Sequence, residues 1–488
     1  MSKVSIVQDD TLIYPKNPPF NPSTMFPELN HYDFECDKNN MVYGKIRDAL
    51  FYMGLDRENY GSKEWNPLKD YINENETVIL KPNLVNNVRE EIQNAVTTHA
   101  SVIRPIVDYC WKAMNGKGKI IIGDAPTAEA DFDMIIEQSG IKEMVSFLKN
   151  NGVNIETKDF RATKVIMKDG IWVGEQKNTS SENEYVIVDL AEKSMFNCDK
   201  YKNADLHGGG YNRITTNKHH HNGKHEYCVS KSILEADVVI SIPKLKTHKK
   251  AGLTCCMKNL VGINVDKDYL PHFIVGPVNS GGDEFPLLEK KHVVYAKVFR
   301  KIRDIFLVKH WKHTGKIIAL LLSCLKKGNS ENNSNNSNKS GASSFVSKVT
   351  GTDVFQGAWS GNDTIWRMIL DLNRIFAYCD SSGKLHDHKV RRYLYIIDGI
   401  VAGCGNGPMN PIPTSLGIVA VATEAYDADT SLLNYLDVDL NKILLYKNAA
   451  NHKSWLSDEN ELELFINGKK DSDEKIKDRI VPPDNWEF

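Results

Sequence analysis

The chain has 488 residues, of which 41% are hydrophobic and 25% charged, proportions that are ordinary for a soluble globular protein. Its 61 Lys and Arg nearly balance its 63 Asp and Glu, and the formal net charge of −2 argues against a nucleic-acid partner. The nine cysteines form no C-x-x-C pair, so the sequence has no iron–sulfur cluster motif, no zinc ribbon and no disulfide framework. The amino terminus lacks the apolar core of a signal peptide, and we expect a cytoplasmic protein.

Residues 1–75 are predicted to form an N-terminal arm and a first helix. The arm, residues 1–40, is rich in Pro and Asn and is expected to be extended, and the helix covers 41–53. Short apolar strands then alternate with helices: strands are predicted at 76–80, 119–126, 153–155 and 185–190, and helices at 100–114, with Thr98 as its cap, and 133–150. A Gly- and His-rich loop is predicted at 205–227.

This alternation predicts an α/β fold, in which a mostly parallel sheet is covered by helices on both faces, with loop and helical insertions. The core domain is assigned to residues 76–303 and 346–435, and residues 436–488 form a C-terminal extension. Between the two core segments, residues 304–345 combine a helical segment with an Asn- and Ser-rich flexible linker at 328–344. The apolar runs within 304–327 are too short to span a bilayer, and they could either pack on the core or lie on a membrane surface.

The stretch Asp237–Gly262 concentrates more potential chemistry than any other. A buried strand is predicted at 237–242, and Pro243 ends it. A polar loop follows that carries Lys244, Lys246, Thr247, His248, Lys249 and Lys250, and a helix is predicted from about residue 254 to 258. A strand that leads through a cationic loop into a helix is typical of an anion site, although a solvated basic loop is an equal alternative.

Polar residues also follow other predicted strands. Lys81 and Asn83 come after one strand, Asp124 and Asp398 end two more, and His99 precedes a helix. Because the carboxyl ends of parallel strands meet at one edge of a sheet, we expect these side chains to share a single crevice. The predicted members of this crevice are Lys81, Asp124, Lys244, Lys246, His248, Lys258 and Asp398, with Asn83, His99 and Asn259 as further binding residues.

Three of these residues are catalytic candidates. His248 stands beside several lysines whose like charge disfavours an imidazolium, which suits a general base that is neutral near pH 7. Lys258 could act as a nucleophile or an anion anchor, and Asp124 could orient a base or bind a cation. The alternatives are a loop histidine that caps the backbone, a surface lysine and a local turn aspartate.

Two further groups favour structural interpretations. Cys255 and Cys256 are predicted to be buried small residues rather than metal ligands. The histidines at 219–221 and 225 have the density of a metal site, but without regular spacing they are more typical of a solvated loop.

Five segments resemble the bacterial and archaeal family called domain of unknown function 362. They are KPNLV (81–85), TTHASVIRP (97–105), GD (123–124), ADVVISIPKLKTHKKAGLTCCMKNLVGI (236–263) and IIDGIVAGCGNGP (396–408). The resemblance spans about residues 75–435. Some relatives carry an appended ferredoxin domain, whereas this chain lacks cluster cysteines, so the resemblance implies no electron-transfer role.

A more remote similarity links His248, Ala251-Gly252, Lys258 and Gly262 to a segment of the nickel-pincer lactate racemase family. That resemblance implies an acid/base role for His248 and a cofactor-anchoring role for Lys258. It also implies a metal-ligand histidine further along the chain, where His272 is near but not in register.

Three functional hypotheses remain open. The first is an enzyme, isomerase- or racemase-like, that acts on a small anionic substrate through His248 and a lysine clamp, with a divalent metal or a nucleotide-derived cofactor as open options. The second is a binding module for a nucleotide or an anionic metabolite. The third is an interaction protein of a polysaccharide-building system, held at the membrane through residues 304–327. The sequence does not determine the oligomeric state.

Overall fold

A computed structural model describes residues 1–168, 171–178, 184–208, 212–308, 352–354, 356–457 and 461–488. Its centre is an eleven-stranded sheet, in which β18-β17-β1-β16-β15-β11-β2-β3-β4 follow one another and β12 and β13 attach beside β15. The strands are β1 (Ser2–Gln8), β2 (Thr77–Pro82), β3 (Lys119–Asp124), β4 (Ile155–Asp159), β5 (Thr163–Lys168), β6 (Ile171–Lys177), β7 (Tyr185–Asp189), β8 (Leu206–His207), β9 (His220–His221), β10 (Lys224–Ser230), β11 (Val238–Ile242), β12 (Lys244–His248), β13 (Gly252–Thr254), β14 (Phe273–Ile274), β15 (Arg392–Cys404), β16 (Ile412–Ala422), β17 (Leu462–Ile466) and β18 (Lys469–Lys470).

The helices lie between and around these strands. They are α1 (Val42–Tyr52), α2 (Glu90–Val96), α3 (Ala100–Ala113), α4 (Phe132–Gln138), α5 (Ile141–Asn150), α6 (Arg213–His219), α7 (Lys231–Glu235), α8 (Cys256–Asn259), α9 (Lys290–Val308), α10 (Ile365–Tyr378), α11 (Ala425–Tyr435), α12 (Leu444–Ala449) and α13 (Lys453–Leu456).

The predicted fold class is confirmed. The strands β15, β11, β2, β3 and β4 pair in parallel, and β16 adds an antiparallel neighbour to β15. Successive strand residues point to opposite faces, so Ile79 enters one hydrophobic core while Val78 and Leu80 enter the other. Helices α1, α3, α4 and α5 contribute to the second core, and α10, α11 and α12 contribute to the first. Both faces of the sheet are therefore covered.

The amino-terminal segment departs from the predicted extended arm. Ser2–Gln8 forms β1, which pairs antiparallel with β16 and parallel with β17. Val4 and Ile6 are fully buried. Val4 and Ile6 alternate with Lys3 and Ser5 as in a strand, but the run is short, and the strands that pair with it come from the far end of the chain. The residues assigned to the C-terminal extension thus supply β17 and β18 to the same sheet.

Several local predictions also need correction. Residues 244–248 form a buried strand rather than a polar loop, and 205–227 contain α6 and the hairpin of β9 and β10. The helix predicted at 133–150 is two helices, because Gly140 takes a φ of 76° at their junction. His99, not Thr98, caps α3: its side chain accepts a hydrogen bond from the Ser101 N–H.

Two predicted segments fall mainly outside the described residues. The linker at 328–344 lies entirely outside them, and the helical segment at 304–327 is described only to Val308, as the end of α9. Within the described parts of the chain, no helix is long and apolar enough to cross a membrane.

Candidate functional site

Strand β12 carries the centre of the site. Its period of two places Lys244, Lys246 and His248 on one face, while Leu245 on the other face joins a hydrophobic core. Pro243 separates β12 from β11, and β12 then pairs with β15, with Lys244 opposite Asp398 and Lys246 opposite Gly403. Cationic side chains thereby extend from the end of a parallel strand into the interior.

Lys244 is neutralised by a buried carboxylate. Its Nζ lies 2.7 Å from Asp398 Oδ2, and neither side chain is exposed. Asp398 also accepts hydrogen bonds from the Tyr14 hydroxyl at 2.5 Å and the His99 backbone N–H at 3.0 Å. The Tyr14 ring stacks on His99 with 4.3 Å between centroids. Asp398 is therefore fully engaged as the counterion of Lys244, and His99 contributes its backbone to this arrangement.

A second ion pair forms where β2 and β3 end. Lys81 Nζ lies 2.8 Å from Asp124 Oδ1, and the Leu84 and Ala125 N–H groups donate to the same carboxylate at 2.8 and 2.9 Å. Gly262 lies against this pair, since a Cβ at that position would come 2.0 Å from Asp124 Oδ1. These contacts make Asp124 a structural counterion, and they disfavour the catalytic role that we predicted for it.

Two asparagines connect the second ion pair to β12. The Lys81 Nζ donates to Asn259 Oδ1 at 3.3 Å, and Asn83 Nδ2 donates to the same oxygen at 3.2 Å. In turn Lys246 Nζ donates to Asn83 Oδ1 at 3.0 Å and to the Val96 carbonyl at 2.5 Å. Lys81, Asn83, Lys246 and Asn259 therefore form one continuous buried network.

Three other lysines of the site have no carboxylate partner in the described structure. Lys246 donates only to an amide oxygen and a carbonyl, and Lys267 donates to the carbonyls of Ala125 and Asn264 at 2.7 and 2.9 Å. The side chain of Lys258, on α8, has neither a hydrogen bond nor an ion pair with any described residue. We call Lys246, Lys258 and Lys267 the unpaired lysines.

Burial and mutual repulsion change the proton affinity of these amines. Burial, followed by repulsion from Lys250, lowers the pKa of Lys258 to about 7. Burial likewise lowers the pKa of Lys267 to about 8, and burial followed by repulsion from Lys258 lowers the pKa of Lys246 well below its usual value. Near neutral pH, Lys258 is thus divided between an ammonium that attracts anions and an amine that can accept a proton.

The proton state of His248 follows from its hydrogen bonds. The backbone N–H groups of Lys250 and Ala251 donate to Nδ1 at 3.1 and 3.2 Å, so Nδ1 is an acceptor and Nε2 carries the proton. Burial, followed by repulsion from Lys258, lowers the pKa of this imidazole well below its usual value. Both effects favour a neutral His248 that presents a hydrogen-bond donor to the site, and this tautomer disfavours the predicted role of general base.

His272 has the opposite tautomer. Its Nδ1 donates to the Leu270 carbonyl at 2.8 Å, which leaves the lone pair on Nε2. Burial, followed by repulsion from Lys250, lowers its pKa to about 3, and His272 in turn acts on the pKa of His248. The two rings therefore offer complementary proton states, a donor on His248 and an acceptor on His272.

The residues of this site do not favour the binding of a metal ion. Lys250, Lys258 and Lys267 act on His272 and would repel a bare cation, which disfavours the predicted metal ligand at this position. Elsewhere in the described chain, Cys255, Cys256 and Asp429 place their ligand atoms within 4.8 Å of one another. Burial raises the pKa of both thiols, and Asp429 already accepts from the Cys256 and Met257 N–H groups, which supports the structural role that we predicted for the cysteines.

The structure brings the predicted crevice residues together along one edge of the sheet, although their functional roles remain predictions. Sequence reasoning missed Tyr14, which lies in the Pro-rich arm, and Lys267, which lies in a loop, because neither stands in a periodic pattern. It noted Lys250 only as part of the basic loop. The sequence pointed to Gly262 only through its spacing from Lys258 and Asn259. In the structure Gly262 lies against the Lys81–Asp124 pair, which leaves no room for a side chain at this position.

The family model described as Domain of unknown function (DUF362) matches residues 78–181 and 161–434, which include β2 through most of α11. The chain belongs to this family. The match contains both ion pairs, the unpaired lysines and both histidines, whereas β1, Tyr14 and β17 lie outside it. No match was found among curated proteins. The similarity to the lactate racemase family remains a prediction.

Proposed function

We propose that the protein is an enzyme that binds a small, multiply charged anion at the lysine-rich edge of its sheet and moves a proton on it. The observation that carries this proposal is the charge balance of the site. Lys246 is buried, Lys258 and Lys267 are half-buried, and none of the three has a carboxylate partner among the described residues. Phosphate, pyrophosphate or carboxylate groups would supply the missing negative charge.

The proposal of proton chemistry depends on complementary proton states. His248 presents N–H at Nε2, while His272 presents a lone pair at Nε2 and Lys258 has a pKa of about 7. Removal of a proton from carbon beside a carboxylate requires an acceptor, and its return requires a donor. Lys258 or His272 would accept the proton and return it, while the neutral His248 would keep its Nε2 proton and donate a hydrogen bond to the developing enolate oxygen. Return of the proton to the opposite face of the same carbon would make the reaction racemase- or epimerase-like.

Calorimetric titration with pyrophosphate tests the anion site. Lys258→Met should weaken the affinity about tenfold or more, because a charge-assisted contact in a desolvated site is lost. Lys249→Met is the control, since Lys249 lies in the turn that follows His248 and is not among the charges that act most strongly on the pKa of Lys258. Equal affinities for the parent and Lys258→Met would contradict the proposed site.

Proton exchange in D2O tests the chemistry. A panel of phosphorylated and carboxylated sugars and hydroxy acids is incubated with the protein, and deuterium in C–H bonds is followed by mass spectrometry. We expect the parent to catalyse exchange on one member, and His248→Gln to keep pyrophosphate affinity while losing exchange. Pyrophosphate binding without exchange on any member would favour the second hypothesis, a non-catalytic module for an anionic metabolite.

A further inference from the structure

Among the described side chains of helix α9, two contact the protein interior. Ala296 is buried, and Val293 packs with it against a small core cluster formed by Phe285, Leu288 and Val354. This cluster is separate from the two large cores of the sheet. Among the described side chains of α9, Val293 and Ala296 thus supply the contacts with this cluster.

The outer face of α9 is apolar without being buried. Val294, Tyr295 and Val298 have exposed fractions of 57%, 54% and 52%. Val294 and Val298 are four residues apart and so share one face of the helix. Valine is a weaker helix former than alanine or leucine, so intrinsic helix propensity does not explain these residues either. Neither packing in the core nor helix propensity accounts for these exposed apolar side chains.

Basic residues surround the apolar surface. Lys290, Lys291, Lys297 and Lys301 are all exposed, and the acidic residue Glu289 is paired with Lys291 at 3.0 Å. Lysines interleaved with exposed apolar residues on one helix are typical of segments that lie in the plane of an anionic membrane surface. Because the whole chain carries a net charge of only −2, this positive charge is a local property of α9.

We infer that the outer face of α9, formed by Val294, Tyr295 and Val298 with Lys290, Lys297 and Lys301, docks on an anionic lipid bilayer. The valines and the tyrosine insert among the headgroups, and the lysines contact lipid phosphates and carboxylates. This contact is independent of the anion site on the sheet. It is peripheral, since no described helix can cross a membrane.

Vesicle sedimentation with the full chain tests the inference. We expect binding to vesicles of phosphatidylcholine with phosphatidylserine, weaker binding to phosphatidylcholine alone, and release at high salt. The double variant V294D/V298D should lose binding, because it places carboxylates where apolar groups insert. The variant Lys297→Gln should weaken binding about fivefold, the effect of one lysine near an anionic surface.

The control is Val481→Asp, which changes the same residue type at 52% exposure elsewhere on the surface and should bind vesicles as the parent does. Melting curves of all variants should coincide, since the changed side chains are exposed. The inference is overturned if the parent ignores anionic vesicles or if V294D/V298D binds them equally well. It is also overturned if the parent forms dimers that this double variant abolishes, because the face would then be covered by a second copy.

Discussion

Two groups of lysines lie at one edge of the sheet and differ in how their charge is balanced. Lys81 and Lys244 each contact an aspartate, at 2.8 and 2.7 Å, and the carboxylates accept further hydrogen bonds from the backbone. Lys246 and Lys267 donate only to uncharged oxygens, and Lys258 contacts none in the described structure. The charges of Lys81 and Lys244 are balanced without a ligand, whereas the charges of the unpaired lysines are not.

Lysines with a carboxylate partner and lysines without one contribute differently to stability and function. A buried charge with a well-placed partner holds the strand ends together, and its loss leaves the other charge desolvated. A buried charge without a partner destabilises the fold, because burial disfavours the ammonium form. Proteins retain such groups where activity requires them. We therefore expect a bound anion to balance the positive charge of the unpaired lysines.

The largest effect is expected from breaking a paired lysine. Asp398→Asn leaves Lys244 buried without a negative partner, and it should lower the free energy of unfolding by about 3–5 kcal/mol. Denaturant titration measures the change. The matched control is Asp437→Asn, which removes the surface contact of Asp437 with Lys475 and should change stability by less than about 1 kcal/mol. A loss for Asp398→Asn as small as that of the control would show that the pair is not important for folding.

A smaller effect is expected from crowding the other ion pair. Gly262→Ala places a methyl group 2.0 Å from Asp124 Oδ1 and 2.7 Å from Lys81 Nζ, so the pair must shift, with a loss of about 1–3 kcal/mol. Gly44→Ala on α1 is the control, because its nearest neighbour lies at 4.0 Å and alanine favours the helix. Thermal unfolding should separate the two variants in opposite directions, and a neutral Gly262→Ala would contradict the tight packing.

The smallest effect has the opposite sign and concerns an unpaired lysine. The folded-state pKa of Lys258, about 7, lies below the ordinary value of 10.5, so the folded state resists protonation. The resulting destabilisation is complete below pH 7 and fades as the pH rises towards 10.5. Lys258→Met should therefore stabilise the protein by about 1–2 kcal/mol at pH 6 and much less at pH 10. Denaturant titrations at both pH values test this dependence, and a variant less stable than the parent at pH 6 would contradict it.

The alternation of strands and helices could be predicted from the local sequence, but several features of the site could not. Short apolar runs that end in Lys81, Asp124 and Asp398 predicted a shared crevice, since parallel strands end at one edge of the sheet. The lysines of β12 were predicted to lie in a polar loop, either at an anion site or in solvent, because charge density by itself does not indicate a strand. Only their partners make a buried strand possible there: Asp398 on β15 for Lys244, and Asn83 and the Val96 carbonyl of α2 for Lys246.

The sequence by itself determined the α/β class, the family resemblance and the cluster of polar residues at the strand ends, because periodicity and motif spacing are local properties of the chain. The tertiary structure alone decided which lysines are neutralised, since Asp398 stands far from Lys244 along the chain and Tyr14 farther still. It also decided the proton positions on His248 and His272, which depend on the backbone groups that face each ring nitrogen. Charge balance and tautomers are properties of neighbours in space, and in this protein they distinguish the residues that stabilise the site from those that await a ligand.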